Sequence, residues 1–306
     1  MFECSRGRSC CTCSDVALRI MHLTAWAAYK SPLPMLLSNI RMKTLLIFCL
    51  GVAVVGADVA SHIVGGSEAG PNTWKWQGSL RKLRSSGEIT HTCGCSLLNS
   101  RWALTAAHCV DDSSLGVGDY EVVFGAHSLA SNTGFDQTVG VTRFVIHPGW
   151  NPNQSGFPND IALIQFNTDV VMNSAIQPAN LIDNNDDFAG ESNCFITGWG
   201  KTNGINAGLP DKLQEAPTNV ISYSDCRSRI GSAVRSDHIC AFDFNGVTGG
   251  CNGDSGGPLV CQKSGSNQFT LLGAASWVIT GCVTSYPTVY ARASSYRDWI
   301  RSESGI

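Results

Sequence analysis

Short runs of β-branched and aromatic residues fill the chain from Ile63 to its C-terminus, separated by clusters of Gly, Asn, Pro and Ser. β-branched and aromatic side chains favour strands, and frequent turn-forming residues between such runs are typical of an all-β sandwich or barrel. The clearest runs are residues 121–124, 142–146, 195–199 and 269–273. The sequence therefore predicts an all-β body, within the one or two domains that 306 residues allow.

The last residues of the chain depart from this pattern. Ser295 and Asp298 have the spacing of a capping box, and large side chains recur close behind at helical spacing. Those side chains are Tyr296, Trp299 and Ile300. The pattern predicts a C-terminal helix packed on the β body.

Composition narrows the class of protein. Five of the 14 cysteines precede Ile63 and nine follow it. Because disulfides persist in secreted proteins and are rare in the cytosol, this number indicates an extracellular protein. No Cys/His spacing matches a zinc site, so we expect no metal and no cofactor. The net charge of −3, without a basic patch, argues against nucleic-acid binding.

Residues 42–57 have the composition of a signal peptide. A basic residue precedes the apolar run 44–55, and the small residues at 55–57 form a cleavage pattern. The run is too short for a comfortable membrane span, so we expect a secreted protein without membrane attachment after its removal. Residues 1–41 fit neither a signal peptide nor the β body, and Met42 is the expected initiator. If residues 1–41 are translated, the apolar run becomes internal and can act as a signal anchor instead.

Ser255 lies among small residues in the run Gly253-Asp254-Ser255-Gly256-Gly257. Such residues let the backbone bend sharply and present two N–H groups beside an exposed hydroxyl, which suits an acyl-transfer nucleophile with its oxyanion hole. Taken alone, the run is that of an ordinary tight turn. A serine hydroxyl is a weak nucleophile until an imidazole takes its proton, so the motif needs a base and an orienting carboxylate elsewhere.

Both partners occur upstream of the serine. His108 follows an apolar stretch that begins at Trp102, and Asp160 precedes the strand-like run 161–164. Taken alone, each residue has a structural interpretation: His108 as a surface histidine beside a disulfide cysteine, and Asp160 as an aspartate that caps a strand. The three motifs in the order His, Asp, Ser resemble the chymotrypsin-like (trypsin family) serine proteases, over the chain from Ile63 to its C-terminus.

The resemblance implies a fold and a set of roles. It implies two six-stranded antiparallel β-barrels, about residues 63–182 and 183–306, with the active site in the cleft between them. Ser255 would be the nucleophile, His108 the general base and Asp160 the orienting acid, with the oxyanion hole formed by the backbone of Gly253 and Ser255. The competing class is an inactive homologue that acts as a binding module, but such proteins usually lack the serine or the histidine.

The resemblance also implies a disulfide framework. The implied pairs are Cys93–Cys109, Cys194–Cys261, Cys226–Cys240 and Cys251–Cys282. Cys95 stands where the family usually has glycine, and we expect a buried free thiol there rather than intermolecular pairing.

The resemblance further implies activation by cleavage, because proteases of this family become active when cleavage creates a new N-terminus. Residues 58–62 would be a short pro-peptide, and the freed ammonium of Ile63 would pair with the carboxylate of Asp254. Ser79 and His91 match the family positions that give this aspartate a substitute partner in the zymogen. His62 stands where the family usually has Arg or Lys, so we expect self-cleavage or another non-tryptic activating protease.

Three positions predict which peptide bond is cleaved. Gly249 occupies the floor position where a trypsin-like enzyme carries aspartate, which excludes tryptic specificity because a buried cation would be unpaired. Val278 and Thr288 replace wall glycines of chymotrypsin-like pockets, so we expect elastase-like cleavage after small or medium aliphatic residues. The alternative is a chymotrypsin-like preference for Phe, Tyr or Leu. Ser276-Trp277-Val278 would pair with the substrate backbone as a short strand.

The remaining predictions concern partners and modification. We expect protein and peptide substrates, protein protease inhibitors as partners, and a monomer. Asn153 heads an N-x-Ser sequon in the loop before Asp160, which a glycan could occupy. A calcium loop found in some relatives would map onto residues 125–136, where Ala126 replaces the first expected carboxylate, so calcium dependence is not expected.

Overall fold

The computed structural model describes residues 63–184, 186, 188–202 and 208–306. All of the described strands and helices belong to one compact unit, Ala57–Ile306. The predicted extension, signal peptide and pro-peptide (residues 1–62) lie outside the described residues.

Fourteen strands and two α-helices make up the described part of the chain. In order they are β1 (Ser67–Glu68), β2 (Gln77–Leu83), β3 (Ile89–Asn99), β4 (Trp102–Thr105), β5 (Tyr120–Phe124), β6 (Gln137–Ile146), β7 (Ala162–Phe166), β8 (Asn180–Leu181), β9 (Cys194–Gly198), β10 (Gln214–Ile221), α1 (Tyr223–Ile230), β11 (His238–Phe242), β12 (Pro258–Gln262), β13 (Phe269–Trp277), β14 (Thr288–Arg292) and α2 (Arg297–Ser304).

The first six long strands close into a barrel. The neighbours run β2-β3-β4-β7-β6-β5, and β5 pairs back onto β2 through partners such as Gly78 and Phe124. Every pair is antiparallel. Inward side chains alternate along the strands, and the rings of Phe124 and Phe166 meet edge to face at 5.5 Å in the core.

The second half of the chain builds a second closed ring. Its order is β9-β10-β11-β14-β13-β12, and β12 pairs with β9 through Leu259 and Ile196. β1 adds to the outside of β10, and β8 pairs in parallel with β13. The prediction of two six-stranded antiparallel barrels is thus confirmed.

The helices depart from the sequence prediction in two respects. The C-terminal helix exists, but it begins at Arg297 and no side chain caps it, because Ser295 lies in a preceding 3₁₀ turn, Ala293–Tyr296. The predicted capping box is therefore wrong. The helix α1 was not predicted, and Ser222 caps it by accepting a hydrogen bond from the N–H of Asp225. Within the described ranges, no helix is long and apolar enough to cross a bilayer.

Four disulfides form, one within the first barrel and three within the second, and all four predicted pairs are confirmed. They are Cys93–Cys109, Cys194–Cys261, Cys226–Cys240 and Cys251–Cys282. Cys95 is free and buried, and burial raises the pKa of its thiol, which keeps it protonated.

Candidate active site

The first barrel brings His108 and Asp160 together through the pairing of two strands. His108 lies in a 3₁₀ turn, Ala107–Cys109, just after β4, and Asp160 lies just before β7. Because Thr105 and Ala162 are register partners on these antiparallel strands, the end of β4 and the start of β7 meet at one edge of the barrel. The Nδ1 atom of His108 lies 2.8 Å from Oδ2 of Asp160, and the backbone N–H of His108 donates to Oδ1 at 2.9 Å.

Asp160 is buried, and its carboxylate is held by three donors. Besides the two from His108, the hydroxyl of Ser276 donates to Oδ2 at 2.6 Å. A carboxylate accepts only, so the proton of neutral His108 lies on Nδ1 and leaves Nε2 able to accept one. Sequence reasoning placed Ser276 beside the substrate backbone but missed this contact, for which the sequence offers no local signal.

The imidazole of His108 is poised to gain a proton. Burial alone lowers its pKa, but the hydrogen bond and negative charge of Asp160, with the more distant charge of Asp111, outweigh burial and raise it above the usual value. This electrostatic balance stabilises the imidazolium that a general base becomes after taking a proton.

Ser255 lies on a turn in the second barrel that packs directly on the first. Gly253 has φ +105° and Gly256 has φ +72°, and a side chain at Gly256 would overlap Thr105. The N–H of Gly94 donates to the carbonyl of Ser255 at 2.7 Å, which joins the turn to the first barrel. Among the hydrogen bonds of the described residues, none yet joins Ser255 Oγ to His108, a contact that in unliganded enzymes often tightens only with substrate.

Two backbone donors of this turn remain unused. The N–H groups of Asp254, Gly256 and Gly257 donate to carbonyls within the protein. No hydrogen bond of the described residues uses the N–H of Gly253 or of Ser255. These two free donors lie beside the hydroxyl of Ser255, the predicted nucleophile, as an oxyanion hole requires.

Asp254 is a buried carboxylate without an ionic partner among the described residues. It accepts from the N–H of Gly200 at 2.8 Å and from the N–H of Cys251 at 3.0 Å. Burial raises its pKa to about 6, against which these hydrogen bonds act only in part. Ile63 is fully buried as an internal residue of the uncleaved chain, so the predicted ion pair with Asp254 remains a prediction.

Of the two predicted zymogen residues, His91 contacts the turn at residues 253–257, which we call the oxyanion turn, and Ser79 contacts His91. Ser79 Oγ lies 2.8 Å from Nδ1 of His91, and Nε2 of His91 donates to the carbonyl of Gly253 at 3.0 Å. Burial lowers the pKa of His91 to about 4, so the ring is neutral. In this conformation His91 fixes the turn through Gly253 rather than through Asp254.

A cavity of about 330 Å³ opens beside Ser255 and is the candidate specificity pocket. Val278 and Thr288 both line it, as do Ser276 and Trp277. Thr288 is buried, and its Oγ1 accepts from the N–H of Gly250 at 3.0 Å. Gly249, the predicted floor, is not among the lining residues; a Cβ there would lie 3.8 Å from Thr288 Oγ1. Gly250 and Thr288 line the cavity in place of the predicted floor residue.

The described residues contain one cluster with metal-ligand distances, and it cannot act as a metal site. It consists of Cys93, His108 and Cys109, and the two cysteines are joined in a disulfide. In residues 125–136, where a calcium loop of some relatives would map, Asp136 accepts from the N–H and the hydroxyl of Thr133 at 3.0 and 2.5 Å. That carboxylate thus serves a local turn.

Comparison with known proteins matches this geometry to one family. The trypsin family profile matches residues 63–300. Chymotrypsin-like elastase family member 1 of Homo sapiens is 41% identical over 246 residues, which cover 79% of this chain and 92% of that protein. The protein of the same name from Macaca fascicularis is 41% identical over 244 residues, covering 78% and 88% of the two chains. A fibrinolytic enzyme, isozyme C, of Lumbricus rubellus is 38% identical over 253 residues, covering 79% of this chain and all of that protein.

Proposed function

Because the chain belongs to the trypsin family of serine proteases, we propose that it is a secreted endopeptidase, made as a zymogen, that cleaves after small or medium aliphatic residues. The observation that carries the specificity is the presence of the branched side chains of Val278 and Thr288 in the lining of the cavity beside Ser255. The similarity to proteins named as elastases supports the same assignment.

The proposed reaction is acyl transfer to Ser255. His108 takes the hydroxyl proton on Nε2 as the serine oxygen attacks the scissile carbonyl, and Asp160 stabilises the resulting imidazolium. The N–H groups of Gly253 and Ser255 donate to the oxyanion. His108 then passes the proton to the leaving amine, and a water molecule activated by the same histidine releases the acyl group.

Chemistry in the cavity excludes a cationic side chain. Asp254 is the charged residue among its described lining, and its carboxylate is engaged by the N–H groups of Gly200 and Cys251. An arginine or lysine side chain in the cavity would therefore lose its hydration without gaining a free partner. The methyl groups of Val278 and Thr288 instead offer apolar contact to a short aliphatic side chain.

Cleavage of a peptide panel by protein that begins at Ile63 tests this assignment. The panel varies the residue before the scissile bond across Ala, Val, Leu, Phe, Tyr, Lys and Arg, and kcat/KM is measured for each. Replacing both Val278 and Thr288 by glycine is expected to raise the Phe-to-Ala ratio by about 100-fold, within the range of about 10–200-fold by which hydrophobic pockets discriminate side chains that differ in size.

The matched control is Val171→Gly, an exposed valine outside the cavity, which should leave the ratio unchanged. A wild-type preference for Phe or Tyr would replace the elastase-like assignment with a chymotrypsin-like one. No cleavage of any peptide, despite a free Ile63 amine, would identify an inactive homologue that acts as a binding module.

Secretion and partners complete the proposal. Four disulfides within the described residues fit an oxidising compartment. Protein and peptide substrates, and protein inhibitors that bind the same cleft, are the proposed partners of a monomeric enzyme that binds neither nucleic acid nor membrane. Digestion is the proposed setting, by analogy with the family.

The proposed zymogen makes a testable prediction about Asp254. In the uncleaved chain its folded-state pKa is about 6, above the 3.8 of the ordinary carboxyl, so the native state holds this proton more tightly than the unfolded state. Its contribution to stability is therefore full below about pH 3.8 and is lost as pH rises through about 6. Over that window the uncleaved protein should lose about 3 kcal/mol of unfolding free energy through this group.

Denaturant unfolding of uncleaved wild type and of Asp254→Asn at a series of pH values gives the unfolding free energy as a function of pH. The difference between the two slopes measures the contribution of Asp254. Asp169→Asn, at an exposed carboxylate, is the control for general titration. Cleaved protein should lose the effect, because the ammonium of Ile63 then pairs with the ionised Asp254. Equal slopes in cleaved and uncleaved protein would contradict the ion pair.

A further inference from the structure

A second cavity, of about 450 Å³, lies against the oxyanion turn. Two of its lining residues contact Gly253: His91 donates to the Gly253 carbonyl, and a Cβ on Gly253 would lie 2.9 Å from Cδ2 of Leu209. It shares no lining residue with the specificity cavity. When the side chain before the scissile bond fills the first cavity, the substrate residues after that bond must lie elsewhere on the surface. The second cavity adjoins Gly253 and is therefore a candidate site for those residues.

The lining of this second cavity, which we call the arginine groove, combines apolar and cationic groups. We define the groove by Arg81, Arg84, Ile89, Leu129 and Leu209. Ile89 and Leu209 are aliphatic side chains that remain 42% exposed, a large fraction for such residues. Exposed aliphatic side chains in the lining of a cavity offer apolar contact area to a ligand.

Both guanidinium groups retain donors for a ligand. Arg84 donates from Nε to the hydroxyl of Thr90 at 2.7 Å and from Nη2 to the carbonyl of His91 at 3.0 Å, which fixes its orientation. Arg81 lies 3.8 Å from Glu121, beyond hydrogen-bond distance. A held guanidinium loses little entropy when it binds a carboxylate, and it presents a planar pair of donors.

Other charged groups around the groove cancel these two cations only in part: Glu121 lies 3.8 Å from Arg81, and the carboxylate of Asp211 lines the groove. The carboxylate of Asp211 accepts from the hydroxyl of Ser128 and the N–H of Ala130, and Lys212 lies 3.4 Å from it. His91 is neutral, because burial first, and then the charges of the two arginines, lower its pKa to about 4. The groove therefore presents a net positive surface to a chain leaving Gly253.

We propose that the arginine groove binds the part of the substrate that follows the scissile bond, and that Arg81 and Arg84 favour an acidic side chain at its second or third residue. Ile89, Leu129 and Leu209 bind the aliphatic portion of the same segment. This inference rests on the proposed endopeptidase function and adds a second determinant of which bonds are cleaved. It makes the enzyme selective on both sides of the bond, for a small side chain before it and a carboxylate after it.

The test uses internally quenched peptides that share one residue before the scissile bond and carry Glu, Gln or Lys at the second or third position after it. We expect kcat/KM for the Glu peptide to exceed that for the Gln peptide by about fivefold, the scale of a partly exposed ion pair, with the Lys peptide slower still. High salt should reduce the difference, since exposed charges are screened. In the double variant Arg81→Gln and Arg84→Gln, the Glu-to-Gln ratio should fall to about one.

The control Arg101→Gln removes an arginine that lines neither cavity and should keep the wild-type ratio. Taking the ratio within each enzyme cancels any general loss of activity in a variant. A p-nitroanilide substrate has no residue after the scissile bond, so its hydrolysis by wild type tests the endopeptidase assignment alone. If that substrate is hydrolysed but Glu, Gln and Lys peptides are cleaved equally, the groove inference is wrong and the proposed function stands.

Discussion

Replacing Ser255 by alanine is expected to lower kcat by about 10⁶-fold while leaving the fold intact. In the proposed mechanism the hydroxyl oxygen of Ser255 becomes acylated, so no remaining group can carry the covalent step. Residual turnover above the uncatalysed rate would come from the oxyanion donors and substrate binding alone. The measurement is single-turnover kinetics, in which the burst of acyl-enzyme formed by wild type should vanish.

The stability of the variant is as informative as its rate. Ser255 is bound to the first barrel through its carbonyl, which accepts from the N–H of Gly94, and that bond survives the substitution. The unfolding free energy should therefore change by no more than about 0.5 kcal/mol. The matched control Ser264→Ala removes an exposed hydroxyl that lines neither cavity and should change neither rate nor stability. A burst that persists in the Ser255 variant would transfer the nucleophile role to another residue.

The main architecture could be predicted because two kinds of signal agreed. Strand-like runs gave the β body, while the local motifs around His108, Asp160 and Ser255 gave the resemblance that supplied two barrels and the disulfide pairs. Glycines carried much of this information. At Gly256, positive φ and the close approach of Thr105 leave no room for another side chain, and that constraint is visible in the sequence as a glycine beside the serine.

The two errors, the predicted capping box and the missed helix α1, occur where the local sequence pattern does not determine the local structure. The spacing of Ser295 and Asp298 is also satisfied by a 3₁₀ turn, in which the chain turns once before the helix begins at Arg297. The helix α1 was missed because Cys226 is its only buried residue, so no apolar stripe repeats along it. Its capping serine, Ser222, was the signal that could have been found.

Contacts between distant segments could not be predicted from any window of sequence. The hydroxyl of Ser276 reaches Asp160 across 116 residues of chain. Thr288 lines the candidate specificity cavity and accepts a hydrogen bond from the N–H of Gly250, 38 residues away in the chain. The arginine groove likewise takes its walls from several separate segments. Each depends on side-chain direction after the barrels close.

Replacing Asp160 by asparagine is expected to lower kcat by about 10⁴-fold at neutral pH, as for the same substitution in the type triad. The reason lies in the donors around the carboxylate. The backbone N–H of His108 can only donate, so the amide oxygen of asparagine should take the Oδ1 position, 2.9 Å from that nitrogen. The amide NH₂ then faces Nδ1 of His108, which must release its proton to accept.

The displaced proton moves to Nε2, the atom that has to accept the proton of Ser255. Kinetics and the ring ¹⁵N chemical shifts of His108 measure the two consequences together: a slow enzyme and a reversed tautomer. The hydroxyl of Ser276 can rotate to accept from the new NH₂, so the variant should fold without an orphaned polar group.

Ser276→Ala separates the orientation of His108 from the burial of the carboxylate. It removes one of three donors to Asp160 but leaves both bonds to His108, so the tautomer is unchanged and the expected loss in kcat is only about tenfold. If the Asp160 variant kept kcat within tenfold of wild type, the carboxylate would not be orienting the base. If Ser276→Ala were as slow as Asp160→Asn, catalysis would depend on how the carboxylate is held rather than on the tautomer it imposes. The large difference in kcat expected between Asp160→Asn and Ser276→Ala follows from the tautomer of His108. Only Asp160→Asn places a hydrogen-bond donor opposite Nδ1 and so moves the ring proton to Nε2.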